Sequence, residues 1–299
     1  MSLGGDWEIL FVAYSFFMNS LGFEYMEKTH NMTNFSILLP LYQRNDIEQC
    51  FERVISSCFN GRVLPVEVII VIDGPLNSSF QGKISKAAKI WPIKTVRSDV
   101  RIGLSHVLNL GLEHVRTEYT FRVDGDDFSR PERWEKQLNL LNSGFDLVGG
   151  AIQEITLDGH NLAIRRMPEL QSDIGKMILR RNPFNHMTCA YRTSVVRAVG
   201  GYPHIFLRED WALWVRMIAH GLRCQNIPEI LVDATTDLEM YKRRGGIPNV
   251  MAEIKMQKFL INNLDKNIFR AALDWCLKTA VLLAPSKIRE IVYLRLLRG

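Results

Sequence analysis

Short apolar runs alternate with stretches of helical period along most of this chain, starting at Phe35. Phe35 to Leu39 reads as a buried strand closed by Pro40. Asp46 to Phe59 reads as an amphipathic helix with Ile47, Phe51, Val54, Ile55 and Cys58 on one face. Val66 to Ile72, β-branched at every position but Glu67, predicts a second strand, broken by Asp73, Gly74 and Pro75. Helices follow at Phe80 to Ile90 and at Gly103 to Val115, the latter with Leu104, Val107, Leu108 and Leu112 inward, and Lys94 to Val96 is a short strand between them. Tyr119 to Val123 predicts the central strand, and Pro131 opens the first turn of a helix through Leu141. Beyond Asp146 the pattern is less regular: a strand to Ile155, a turn at Asp158 and Gly159, and mostly helix from Ile247. Such alternation predicts an α/β protein, a Rossmann-like mixed sheet flanked by helices with a helical C-terminal segment. Its binding edge lies where the parallel strands end.

Ahead of this pattern, Ile9 to Phe23 is largely apolar and uncharged. It falls short of the roughly 18 residues of a membrane span. It also lacks a basic leader and a small-residue cleavage site. Residues 1–33 are therefore expected to be an extension preceding the domain. The composition, 47% hydrophobic and 23% charged over 299 residues, excludes disorder, collagen and coiled coil as overall descriptions. The net charge of +5 is the difference of 37 basic and 32 acidic residues, so a polyanionic partner is not required. Five cysteines without a C-x-x-C pair suggest neither a zinc site nor a disulfide framework, and fit a reducing, cytoplasmic location.

Three segments carry candidate chemistry. Asp124, Asp126 and Asp127 concentrate negative charge at the end of the central strand, where like charges repel. A hard divalent cation, Mg2+ or Mn2+, bridging to phosphate oxygens would relieve this. An Asp-rich helix start would account for Asp127 but hardly for the whole cluster. A calcium loop lacks its regular acidic series and closing Glu. The second segment, Leu207 to Gly221, is an amphipathic helix with Glu209 and Asp210 in its first turn. Trp211 and Trp214 imply a partly buried setting in which one acid could serve as general base, the alternative being two acids that merely favour the helix dipole. The third, Asn182 to Arg192, is a polar segment leading into a strand. Its His186 could be a ligand or base, or a structural hydrogen bonder. A basic run, Lys242, Arg243 and Arg244 before Gly245 and Gly246, could meet a diphosphate or lie in solvent.

Taken in order, these segments resemble family 2 of the inverting glycosyltransferases, with the fold known as GT-A. The resemblance runs from about Phe35 to Gly246. It rests on Ile37 to Tyr42, Glu67 to Pro75, Gly103 to Leu112, Phe121 to Arg133, Gly200 to Tyr202 and Glu209 to Trp214. It implies a GT-A domain at 34–246, with a nucleotide-binding half to about 130 and an acceptor half from 131, and a helical segment at 247–299. It further implies a UDP-sugar donor, with Pro40, Tyr42 and Asp73 at the nucleoside. Asp124 and Asp126 match the Asp-x-Asp motif, Asp126 foremost as metal ligand with Asp127 beside it. Asp210 matches the catalytic base, Glu209 its usual neighbour, and Asn109 the motif before the metal strand. The chain departs from the commonest pattern at Ile72, where many members have aspartate, and at Pro75, where they have serine.

The variants around Asp73, Asp126 and Pro131 are similar to a subset in bacterial O-antigen and capsule assembly that extends a lipid-diphosphate-linked HexNAc, several members transferring glucose or galactose in β1,3 linkage. A glycan or lipid-linked saccharide acceptor is thereby implied, and with it a peripheral position at the cytoplasmic face of the inner membrane. The segment Asn267 to Gly299 would suit that position as a basic amphipathic helix, unless it packs on the domain with its basic side in solvent. The competing class is a non-catalytic nucleotide- or nucleic-acid-binding protein. The absence of a Gly-x-Gly-x-x-Gly turn and of an RNP-type aromatic motif weighs against it, so no nucleic-acid partner is expected.

Overall fold

A computed structural model of the chain describes residues 34–236, 245–285 and 289. The expected extension at 1–33, the basic run Lys242 to Arg244 and most of the segment beyond 285 lie outside the described residues. The elements in order are β1 (Phe35–Leu41), α1 (Asn45–Cys58), β2 (Glu67–Asp73), α2 (Ser78–Ala87), β3 (Ile93–Ser98), α3 (Leu104–His114), β4 (Tyr119–Arg122), β5 (Phe128–Ser129), α4 (Arg133–Asn142), β6 (Leu147–Ile155), β7 (Asn161–Arg165), α5 (Gln171–Ile178), β8 (Ala190–Arg192), α6 (Thr193–Ala198), α7 (Glu209–Ala219), β9 (Cys224–Thr235), α8 (Ile247–Leu264) and α9 (Ile268–Leu283).

One mixed sheet unites these strands in the order β3-β2-β1-β4-β8-β6-β9-β5, with β7 added to β6. The first four are parallel. β8 is antiparallel to both β4 and β6, while β9 runs parallel to β6. β2 shows why its apolar run is nearly continuous: Val68, Ile70 and Ile72 pack with α1, α2 and α4, while Ile69 and Val71 pack with α3 and the helices on the opposite face. α3 lies so close to this sheet that a Cβ on Gly111 would come within 2.4 Å of Leu38 and 2.5 Å of Val71. The glycine is therefore needed for the approach.

Three expectations change. Pro40 lies inside β1 rather than closing it. The Leu38 carbonyl accepts from the Val123 N–H at 3.2 Å, so backbone groups two residues on face the same neighbour, beyond Arg122 where β1–β4 pairing has ended. The proline's missing donor is harmless there. Pro131 stands in the turn before α4 rather than in its first turn. The twelve-residue β9 is unannounced by pattern, because Pro228 and Glu229 interrupt it and its register against β6 shifts near Gly150 and Ala151.

Candidate active site

β1, β2 and β4 deliver Tyr42, Asp73 and Asp124 to the carboxyl edge of the parallel strands. Asp73 is buried and its carboxylate accepts from the N–H groups of Ile102 (2.7 Å) and Gly103 (3.2 Å), fixing the loop that opens α3. Arg101 from that loop lies over the Tyr42 ring, 4.5 Å from its centroid, and Arg44 donates to the Tyr42 hydroxyl at 2.9 Å. Pro40, on the last turn of β1, is half-buried. These residues form an aromatic and amide-rimmed wall suited to a planar ring.

The three strand-end aspartates have different surroundings. Asp124 pairs with Arg122 and Asp126 with Arg44, and both carboxylates keep part of their surface open, 28% and 22%. Asp127 is buried, and accepts from the Thr235 N–H at 2.9 Å while the Thr235 hydroxyl donates to the Asp126 carbonyl at 2.6 Å. Together these bonds tie the loop to β9. Burial pushes Asp126 above the usual carboxylate range and the charge of Asp124 adds to it, against the pull of Arg44. Burial and the same neighbours push Asp127 well above that range. Negative charge is thus in surplus despite two guanidinium groups. No three His, Cys, Asp or Glu side chains converge as a metal cage among the described residues. Asp124 and Asp126 nonetheless fit a hard divalent cation, which commonly takes one or two carboxylates and completes its shell from phosphates and water.

The second acidic pair opens α7. Leu207, with φ of 53°, occupies the left-handed region that costs a branched residue of this kind on the order of 1–3 kcal/mol. This kink turns the chain so that Glu209 enters the interior. The Asp210 carboxylate accepts from the Asn182 side-chain amide at 2.6 Å and from the Trp211 N–H at 2.7 Å. Burial raises Asp210, opposed by the Trp211 N–H, Arg208 and Asn182. Burial and the Asp210 charge push Glu209 up to about 7. Unlike the strand-end aspartates, Asp210 is oriented by amides, and the nearest cation, Arg208, is held at 3.5 Å by Glu253 of α8.

Arg122 connects the two sites. Its side chain is 1% exposed, pairs with Asp124, and also lowers Glu209 electrostatically. A guanidinium buried between them acts on both acidic groups. Arg133, wholly buried, supports it by donating to the Arg122 carbonyl at 2.6 Å.

Asn109 is fully engaged with the backbone. It donates to the Tyr202 carbonyl at 2.9 Å and accepts from the Tyr202 N–H at 2.8 Å. A Cβ on Gly201, where φ is 64°, would come within 2.5 Å of its amide oxygen. The motifs at 103–112 and 200–202 are therefore two halves of one clamp. His186 shares a hydrogen bond with the Tyr202 hydroxyl at 3.2 Å, and Tyr202 another with Tyr191 at 3.2 Å. Burial and Arg122 hold the His186 imidazole well below its usual range, the condition of a neutral hydrogen bonder.

Pattern reasoning passed over Arg44, Arg122, Asn182 and Arg208. Arg122 had a signal: a cation in an otherwise apolar buried strand needs a partner, and Asp124 stands two residues on. The other three sit in irregular segments whose partners are distant in sequence.

Comparison with known proteins gives this site its setting. Residues 36–200 match the family described as Glycosyl transferase family 2. The amylovoran biosynthesis glycosyltransferase AmsE of Erwinia amylovora is 29% identical over 263 residues, 87% of this chain and 97% of AmsE. An Escherichia coli UDP-Gal:alpha-D-GlcNAc-diphosphoundecaprenol beta-1,3-galactosyltransferase is 30% identical over 269 residues, covering 88% of this chain and 96% of that enzyme. In structure, S. aureus TarS in complex with UDP-GlcNAc superposes with a TM-score of 0.62 over 83% of this chain and 72% of that one, at 15% identity. The fold is that of the GT-A glycosyltransferases, and the chain belongs to glycosyl transferase family 2.

Proposed function

We propose that this member of glycosyl transferase family 2 is an inverting enzyme that moves a hexose from a UDP-sugar to a glycan acceptor. The acceptor is a lipid-diphosphate-linked HexNAc of O-antigen or capsule assembly, and the transfer is glucosyl or galactosyl in β1,3 linkage. The similarity to the galactosyltransferase named above supports the donor, linkage and lipid carrier. A lipid-linked acceptor in turn places the enzyme in the cytoplasm, peripheral at the inner-membrane face. Among the described residues no helix is long and apolar enough to cross a membrane.

One observation carries the reading: two carboxylate groups of opposite character flank the single buried guanidinium of Arg122. Tyr42, Asp73 and Pro40 receive the nucleoside, with Asn109 holding the 200–202 loop beside it. Asp124 and Asp126 would hold Mn2+ or Mg2+, with Asp127 bracing their loop from β9. Bound there, the cation would offset the charge that develops on the departing diphosphate. Asp210 accepts the proton of the acceptor hydroxyl, whose oxygen bonds to the anomeric carbon. The bond from that carbon to the UDP oxygen breaks, and UDP leaves with the electron pair. Asn182 and the Trp211 N–H aim the carboxylate, and Glu209 keeps the proton-accepting pair basic.

Calorimetric titration with UDP, with and without Mn2+, tests this on the wild type and Asp126→Ala. The expected result is metal-dependent binding that weakens by about tenfold or more in the variant. Equal binding by both proteins would remove Asp126 from the donor site.

A further inference from the structure

Residues 247–299 hold nine Lys and Arg against four Asp and Glu, so the whole formal excess of +5 resides there, and residues 1–246 balance at 28 of each. Within this segment α9 is turned inside out relative to a surface helix of a soluble domain. Its charged residues face the body: the Asp274 carboxylate accepts from Lys266 at 2.6 Å, and Lys278 donates to the buried Glu253 at 2.6 Å while lying 4.6 Å from the Trp211 ring centroid. Its apolar residues face out. Phe269, Leu273, Leu277 and Leu283 are 81%, 58%, 60% and 58% exposed. Spaced by four and six residues, they share one arc, which Ala272 and Cys276 continue without a charged side chain. On neighbouring α8, Ile247 and Met251 are likewise exposed, together with Lys255 and Lys258, and Arg270 stands at the edge of the α9 arc.

We infer that this arc is the surface by which the protein lies on an anionic phospholipid bilayer. Leucine and phenylalanine of the arc enter the acyl boundary while the surrounding cations meet lipid phosphates. A second copy is the poorer occupant, because pairing two such faces would bring together the only parts of the chain with like charge in excess. Docking would also present the acceptor side correctly. Glu253, which Lys278 of α9 holds, also pairs with Arg208 at the entrance to α7. The inference draws on the lipid-linked acceptor only for its purpose, and its test does not depend on that acceptor.

The test is flotation of the full chain with vesicles of phosphatidylcholine alone or with about 30 mol % phosphatidylglycerol, a content giving a negative surface potential. Wild type is compared with a double variant, Leu273→Glu with Leu277→Glu. Glutamate suits exposed helix positions, and unchanged melting and UDP binding show that the variant is folded. Wild type should float with the anionic vesicles, less so at high salt, and the double variant should bind at least about tenfold more weakly. Equal binding by the variant would overturn the inference. So would failure of wild type to bind either vesicle, or a wild-type dimer in sizing experiments that the double variant dissolves. Vesicle binding by a wild type that fails to bind UDP would sustain this surface and remove the donor reading.

Discussion

The acids at the end of β4 and those at the start of α7 occupy comparable depths yet are balanced in different ways. Asp124 and Asp126 are each met directly by a guanidinium, keep an open side, and sit with a third carboxylate that is bound to β9. Asp210 is met by two amide donors, and Glu209 has burial and its neighbour's charge raising it to about 7. Guanidinium partners keep a carboxylate ionised and ready for a cation. Amide partners aim a carboxylate while leaving it basic enough to take a proton. The difference in partner chemistry, more than the acids themselves, divides the two tasks.

The strongest way to break that division is Asp210→Asn. The substitution keeps the shape and the contact with Asn182 but removes the proton acceptor. Turnover is expected to fall by about 10²–10⁴-fold, the usual span of general base catalysis, with UDP affinity within about twofold of wild type. Transfer assays alongside calorimetry separate the two effects. Full turnover in the variant would assign the base elsewhere, and lost UDP binding would merge the two sites into one.

A finer cut is Asn182→Ala. The amide favours the ionised form of Asp210, so its loss raises the carboxyl further and moves the acid limb of the kcat profile to higher pH. A hydrogen bond to a charged group is worth about 1.5–3 kcal/mol, so a shift of roughly one pH unit is expected, with at least tenfold lower kcat at pH 6 and partial recovery at pH 8. Asn182→Gln, with its amide on a longer arm, should recover part of the shift. A uniform loss across pH would mean that Asn182 only packs.

The sequence makes one of these regions more legible than the other. Strands β1 and β2 and helices α1 and α3 declare themselves by period, because both sheet faces are covered and every inward position must be apolar. The Asp124 to Asp127 cluster is visible because three acids side by side call for an explanation. Beyond Asp146 the sheet is completed by short antiparallel strands and by β9, whose pairings shift and whose middle contains Pro228, so alternation fades. Glu209 and Asp210 look like ordinary dipole partners until Leu207 turns them inward. Their distinguishing partner, Asn182, lies 28 residues away in a segment without regular structure. Likewise, the basic residues of α9 are visible in the sequence, but their inward direction depends on Lys266 and Glu253.

The smallest expected effect concerns stability and sharpens the comparison from its other side. Glu209 is held near 7 in the native protein, against about 4.5 for a free glutamate. The native state therefore binds the proton more tightly than the unfolded chain, and stability from this group is full below about pH 4.5 and is lost as pH rises to about 7. Above that, the native protein carries a buried carboxylate beside Asp210. Glu209→Gln should then be more stable than wild type at pH 8 by about 1–3 kcal/mol, a rise of several degrees in Tm, and nearly equal to it at pH 4. Thermal melts of both proteins at the two pH values measure this. Equal melting at pH 8 would mean that Arg122 and Arg208 already neutralise Glu209, which would make the helix-start acids the same kind of site as those at the end of β4. A gain confined to pH 8 would mean that the enzyme keeps an uncompensated charge beside Asp210 at a cost to its own stability, as a group retained for proton transfer requires.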